Sequence, residues 1–132
     1  MRCVVVTPEM TVLDQEATFV SLPLYDGELG IASGHTPLIG RIGGGELRIS
    51  TETDGKSDIV RYYVEGGFVE VLDDTVTLLT GRAVLVGQLD GTQSRRRLSE
   101  VLAQKAVTEE TIEQRMRDAD YLRSQIRLAE RA

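Results

Sequence analysis

All thirteen glycines and all three prolines of this 132-residue chain lie at or before Gly91, and residues 92–132 contain neither. No other feature restricts the fold as strongly, because glycine and proline punctuate turns and interrupt helices. The chain must therefore change architecture near residue 87. Turn clusters recur upstream at Tyr25-Asp26-Gly27, Gly43-Gly44-Gly45, Asp54-Gly55-Lys56, Gly66-Gly67 and Asp73-Asp74. Intervals of about ten to twelve residues between turns are the rhythm of short antiparallel strands in a sandwich or barrel. Ala17, Phe19 and Ser21 alternate with Thr18, Val20 and Leu22 on opposite faces of one strand. Two hairpins follow: Glu46–Thr51 with Ile59–Val64 across Asp54-Gly55, and Gly67–Leu72 with Thr75–Leu79 across Asp73-Asp74. No strand-helix-strand crossover is visible, so no parallel sheet is expected.

Downstream, Asp90-Gly91-Thr92-Gln93 reads as an N-cap with Gln93 three residues on. A first helix to about Lys105 carries Leu98, Val101, Leu102 and Ala106 on one stripe. Thr108 caps a second helix through about Arg131, with Ile112, Met116, Ala119, Leu122, Ile126 and Ala129 forming a narrow apolar seam. The short connection predicts an antiparallel helical hairpin. The expected fold is β plus α: residues 1–87 as an antiparallel β-sandwich of roughly ten short strands, and residues 88–132 as a two-helix hairpin. Such a hairpin cannot surround its own seam, and isolated helices of this length are marginal in water. It either docks permanently to complete the fold or exchanges between packings of similar energy.

Composition narrows the function. At 41% hydrophobic and 27% charged, with no Trp, the chain has an ordinary globular balance whose core must be aliphatic. Residues 1–87 carry 6 Lys and Arg against 13 Asp and Glu, net −7, while residues 88–132 carry 9 against 8, net +1. An acidic front half argues against a nucleic-acid surface there, since phosphate binding needs clustered cations. No apolar run is long enough to span a membrane, and strand-like sequence from Arg2 leaves no room for a signal or transit peptide. The single cysteine, Cys3, forms no intrachain disulfide, suits a reducing compartment and reads as a small buried apolar residue.

Catalytic groups are scarce. One His and one Cys exclude a zinc site built from several such ligands. Ser33 lies near His35 but in no G-x-S-x-G elbow. Gly40-Arg41-Ile42-Gly43-Gly44-Gly45 lacks the Gly-Lys-Ser/Thr ending of a phosphate-cradling loop. No metal and no cofactor is expected. Recognition is better supplied. Gly27 to Leu38 combines three glycines, the only histidine and Thr36-Pro37 between apolar runs, the composition of a shaped loop on a rigid sheet. In the tail, Arg123, Arg127 and Arg131 form an i, i+4 ladder, either a solvated face or a docking strip for carboxylates.

Together these residues resemble the epsilon subunit of bacterial F-type ATP synthases, called delta in mitochondria. Gly27-Glu28-Leu29-Gly30-Ile31 through Gly34-His35-Thr36-Pro37-Leu38 is similar to the family's G-E-L-G-I-x-x-G-H-x-P-L. Val64-Glu65-Gly66-Gly67-Phe68-Val69-Glu70-Val71 and Val76-Thr77-Leu78-Leu79 match its second motif in order, and Val5-Val6-Thr7-Pro8-Glu9 and Phe19-Val20-Ser21-Leu22-Pro23 also fit. The resemblance covers the full length. It implies a non-catalytic rotor subunit of the central stalk, peripheral to the cytoplasmic face of the bacterial inner membrane, whose sandwich binds the gamma subunit and the c-subunit ring. Glu28 would face the polar loops of the ring, and Gly30, His35 and Pro37 would shape the same edge. The hairpin would extend beside gamma and block hydrolysis, with Arg123, Arg127 and Arg131 contacting beta, and alpha, subunits. Some members bind ATP through I/L-D-x-x-R-A at the first tail helix. Here Leu89-Asp90-Gly91-Thr92-Gln93-Ser94 departs at Gln93 and Ser94, leaving Asp90 at most. The competing expectation is a β-sandwich adaptor with a purely structural hairpin.

Overall fold

The computed structural model describes residues 1–131 and divides into two compact units, Met1–Leu85 and a second from Val86 onward. The first holds ten strands: β1 Arg2–Val6, β2 Thr11–Glu16, β3 Phe19–Leu24, β4 Gly27–Ala32, β5 Leu38–Arg41, β6 Gly44–Thr53, β7 Lys56–Glu65, β8 Phe68–Leu72, β9 Thr75–Leu79 and β10 Arg82–Leu85. They form two five-stranded sheets, ordered β2-β1-β9-β8-β5 and β10-β7-β6-β3-β4. Both expected hairpins are present. β6 and β7 pair from Gly44↔Glu65 to Thr53↔Lys56 around Asp54-Gly55, and β8 and β9 pair around Asp73-Asp74. Asp54 and Gly55 have φ of 52° and 77°, and Asp73 and Asp74 have φ of 51° and 56°. Two successive left-handed residues make the tight turn whose twist matches the strands it joins.

One pair departs from the antiparallel pattern. β1 runs parallel to β9, from Arg2↔Thr75 to Val6↔Leu79. Parallel neighbours need a long connection, and here β2 through β8 supply it instead of a crossover helix. The sandwich is thus antiparallel throughout except for this pair.

The aliphatic core is built by alternation. In β9 Val76 and Leu78 point inward, in β8 Val69 and Val71, in β3 Val20 and Leu22. They meet Val5, Ile31, Leu47, Ile49 and Val64, all nearly or fully buried. Each such side chain contributes about 1.5–3 kcal/mol of transfer free energy.

The second unit opens with a single 3-10 turn, Val86–Gln88, followed by α1 Gly91–Ala103 and α2 Glu109–Arg131. Asp90 caps α1, its carboxylate accepting from the Gln93 amide at 3.1 Å. Thr108 Oγ1 accepts from the Thr111 amide at 3.2 Å and starts α2. The buried seam is shorter than the periodicity implies: Val101, Ala119 and Leu122, with Leu98 packed on them. Leu102 is 49% and Met116 61% exposed, and Ala106 lies beyond the end of α1. The cause is the unequal helix length. α1 stops beside Arg115, whose guanidinium donates to the Gln104 carbonyl at 3.0 Å, so Ile112, one turn earlier on α2, has no α1 surface to cover it. The other end is polar: buried Ser94 donates to buried Gln125 Oε1 at 3.1 Å, and Arg95 pairs with Glu130.

Candidate docking surface

The stretch from Gly27 to Leu38 is an edge strand with a turn at each end. β4 pairs with β3 from Pro23↔Glu28 to Phe19↔Ala32. Glu28, Gly30 and Ala32 alternate along its exposed side, while Ile31 enters the core. Glu28 sits by the β3–β4 turn with exposed Tyr25, over whose ring the Arg41 guanidinium lies at 4.9 Å. The loop bearing His35 and Pro37 leaves the opposite end of β4. β4 carries the chain from Glu28 to Ala32, about 13 Å at about 3.3 Å per residue, before the turn at Ser33 and Gly34. Glu28 and the His35–Pro37 loop thus form two patches at opposite ends of the same edge strand.

Gly30 has a specific packing reason. A Cβ built there would fall 2.7 Å from Phe19 Cζ, so the glycine admits the aromatic ring flat across β4. Its part in the edge is indirect.

The loop after β4 is tied down from a distance. Gly34, at φ 84°, makes the left-handed turn that glycine favours. The His35 amide donates to the Ala32 carbonyl at 3.2 Å, and the His35 ring, half-buried, donates from Nδ1 to the Thr36 carbonyl at 2.7 Å. Asp74 of the β8–β9 turn accepts from the Gly34 amide at 3.0 Å and from Ser33 Oγ at 3.0 and 3.1 Å. These donors, the Gly34 amide first, hold the Asp74 carboxyl below its usual range.

β5 links the two patches, running from Leu38 beside Pro37 to Arg41, whose carbonyl accepts from the Tyr25 amide at 2.9 Å. Along it lies a surface that sequence reasoning missed. The outward positions of β5, β8 and β9 carry Ile39, Phe68, Leu72 and Leu79, exposed by 73%, 54%, 46% and 55%. Ile39, Phe68 and Leu79 line a shallow depression with Glu70 and Thr77. Contiguous exposed apolar side chains on one sheet face mark an interaction surface. The signal was present: Phe68, Leu72 and Leu79 break the polar-outside alternation of their hairpin.

In the second unit the three arginines share one exposed side of α2, with local contacts. Arg123 pairs with Asp120 at 3.2 Å, and Arg127 donates to Ser124 Oγ at 3.1 Å. Arg131 is the last residue of the helix. Surface pairs of this kind are worth about 0–1 kcal/mol and exchange readily for better ones. Asp90 is engaged as a helix cap.

Among the described residues no group of three or more His, Cys, Asp or Glu could hold a metal ion. Cys3 is fully buried, and that burial pushes its thiol up to about 12. No helix among the described residues is long and apolar enough to cross a membrane.

An edge strand with shaped loops and an exposed apolar sheet face offer surfaces for binding another protein rather than a catalytic centre. Residues 1–86 match the family described as the beta-sandwich domain of the ATP synthase delta/epsilon chain. The chain is 50% identical to the ATP synthase epsilon chain of Rhodopirellula baltica over 83% of each sequence. It is 37% identical to that of Janthinobacterium sp. (strain Marseille) over 98% of this chain and 86% of the relative. The fold is shared with a chain of the Euglena gracilis mitochondrial ATP synthase OSCP/F1/c-ring structure, at TM-score 0.77 and 22% identity, covering 92% of this chain and 76% of that one. A chain of the Tetrahymena thermophila central stalk and c-ring gives TM-score 0.68 at 18% identity, covering 99% and 94%. The chain belongs to the ATP synthase delta/epsilon family, whose members are non-catalytic components of the central stalk.

Proposed function

We propose that this chain couples the gamma subunit to the c-subunit ring and restrains ATP hydrolysis through its C-terminal helices, on the cytoplasmic face of a bacterial inner membrane. The observation that carries the coupling half is the apolar face of Ile39, Phe68 and Leu79, set between the Glu28 turn and the His35–Pro37 loop. The apolar face and the loop suit a folded protein such as gamma, which can bury them. Glu28, exposed at the other end of β4 from the loop, suits the polar loops of the ring. The regulatory half rests on the short seam between α1 and α2. A hairpin that buries α2 only from Ala119 to Leu128 and leaves Ile112 and Met116 exposed can trade its packing for another surface, and the ladder of Arg123, Arg127 and Arg131 would meet carboxylates of a beta or alpha subunit there.

The test is ATP hydrolysis by an epsilon-depleted catalytic core containing gamma, titrated with the full chain and with residues 1–87, which retain the whole sandwich core. Both should bind, and the full chain alone should inhibit. Binding by both without inhibition would leave a structural hairpin on a rotor adaptor, a reading that the local pairing of Arg123 and Arg127 favours. Failure of both to bind would remove the coupling assignment.

A further inference from the structure

Asp73 and Asp74 of the β8–β9 turn both take left-handed backbone angles, φ 51° and 56°, where glycine or asparagine would fit with less strain. A turn needs no carboxylate at its second position. Yet the Asp74 carboxylate reaches a loop 40 residues upstream, accepting from the Gly34 amide and the Ser33 hydroxyl with both its oxygens engaged. The Met1 amino group lies 3.8 Å away on its other side.

We propose that Asp74 is the positioning residue of the docking loop, fixing the Ser33-Gly34 peptide so that His35 and Pro37 are presented to the rotor in one orientation. The geometry is a two-point clamp. The His35 amide is held by the Ala32 carbonyl at 3.2 Å from within the loop, and the Gly34 amide is held by Asp74 from outside it. With Gly34 at φ 84° and open space around it, no side-chain packing at that position restrains the turn. Glycine adopts many backbone states at similar energy, so the carboxylate is what selects one. A loop ordered before contact loses less entropy on binding. The inference rests on the docking role proposed above for the loop.

The discriminating variant is Asp74→Gly in the full chain. Glycine accepts φ 56° more readily than aspartate, so the turn keeps its shape while the clamp is lost. Asp74→Asn keeps an acceptor oxygen for the Gly34 amide and serves as the conservative rescue. Hydrogen exchange by NMR should show the Gly34 amide exchanging about tenfold faster in Asp74→Gly, with β-core amides unchanged. Binding to a rotor depleted of this subunit should weaken about three- to tenfold, and Asp74→Asn should recover most of both effects. Unchanged Gly34 exchange in Asp74→Gly overturns the clamp. Faster exchange spread over the core strands overturns it too, because Asp74 would then stabilise the sandwich generally. Faster loop exchange with unaltered rotor binding leaves the clamp standing and overturns the docking role of the loop.

Discussion

Gly67 offers the sharpest test of the packing argument. It has φ 93°, and a Cβ there would overlap the Leu79 carbonyl oxygen while lying 2.8 Å from the carbonyl carbon and 2.9 Å from Thr80 Cα. That backbone is pinned. The Thr80 amide donates to Val6 at 2.9 Å, the Thr80 hydroxyl bonds Glu65 and Arg82 carbonyls at 3.0 and 3.2 Å, and the Gly67 carbonyl accepts from Ile42 at 2.9 Å. Gly67→Ala therefore carries a dihedral cost of about 1–3 kcal/mol. It also displaces at least one of these bonds, whose loss where the groups are shielded costs about 1–3 kcal/mol. The total, about 2–6 kcal/mol, is a large share of the roughly 5–15 kcal/mol typical of a domain. Gly55→Ala is the control: φ 77°, nothing within 4 Å of the added carbon, hence about 1–2 kcal/mol from the dihedral alone. Urea unfolding of both variants, followed by circular dichroism of the β-sheet signal, should separate them by about 1–3 kcal/mol, the clash itself. Values within about 1 kcal/mol of each other would refute the claim that the Gly67–Leu79 approach is rigid.

Two further outcomes follow from single side chains. Cys3 should resist alkylation at pH 8 in the folded chain and react in urea; because burial raises its thiol from 9.0 to about 12, stability should fall as pH rises between those values, where only the unfolded chain ionises. A native-state reaction as fast as that in urea would mean β1 does not bury the thiol. Gly30→Ala should swing the Phe19 ring, 43% exposed, off β4 and lower stability by only about 1 kcal/mol in thermal unfolding, since a surface ring can move where a backbone cannot.

The part of the fold legible in the sequence is its local chemistry. Asp54-Gly55 and Asp73-Asp74 name their turns, Asp90 and Thr108 name their caps, and alternation names Val76 and Leu78 as core. Each depends on residues a few positions apart. The parallel β1–β9 pair escaped because it joins Arg2–Val6 to Thr75–Leu79 with no periodic trace. The length of the helical seam escaped for a related reason. Ile112 and Met116 hold correct seam positions on α2, but whether they are covered depends on where α1 ends, which Gln104 and Arg115 decide across the hairpin.

The site divides along the same line. Composition marks Gly27 to Leu38 as a shaped segment, yet composition carries no distances, and it is β4 that sets Glu28 and the His35 loop at its opposite ends. The surface joining them, Ile39 with Phe68 and Leu79, is assembled from three strands, and only the sheet order β9-β8-β5 places those side chains together. Ser94 is instructive in the opposite sense. It lies in the first turn of α1, and its hydroxyl donates to Gln125 in the other helix. A buried hydrogen bond at that place favours one register of α1 against α2, since sliding the helices would strand two polar groups in an apolar seam. The Ser94–Gln125 bond thus ties α1 to α2, and any surface that opened the hairpin would have to replace it.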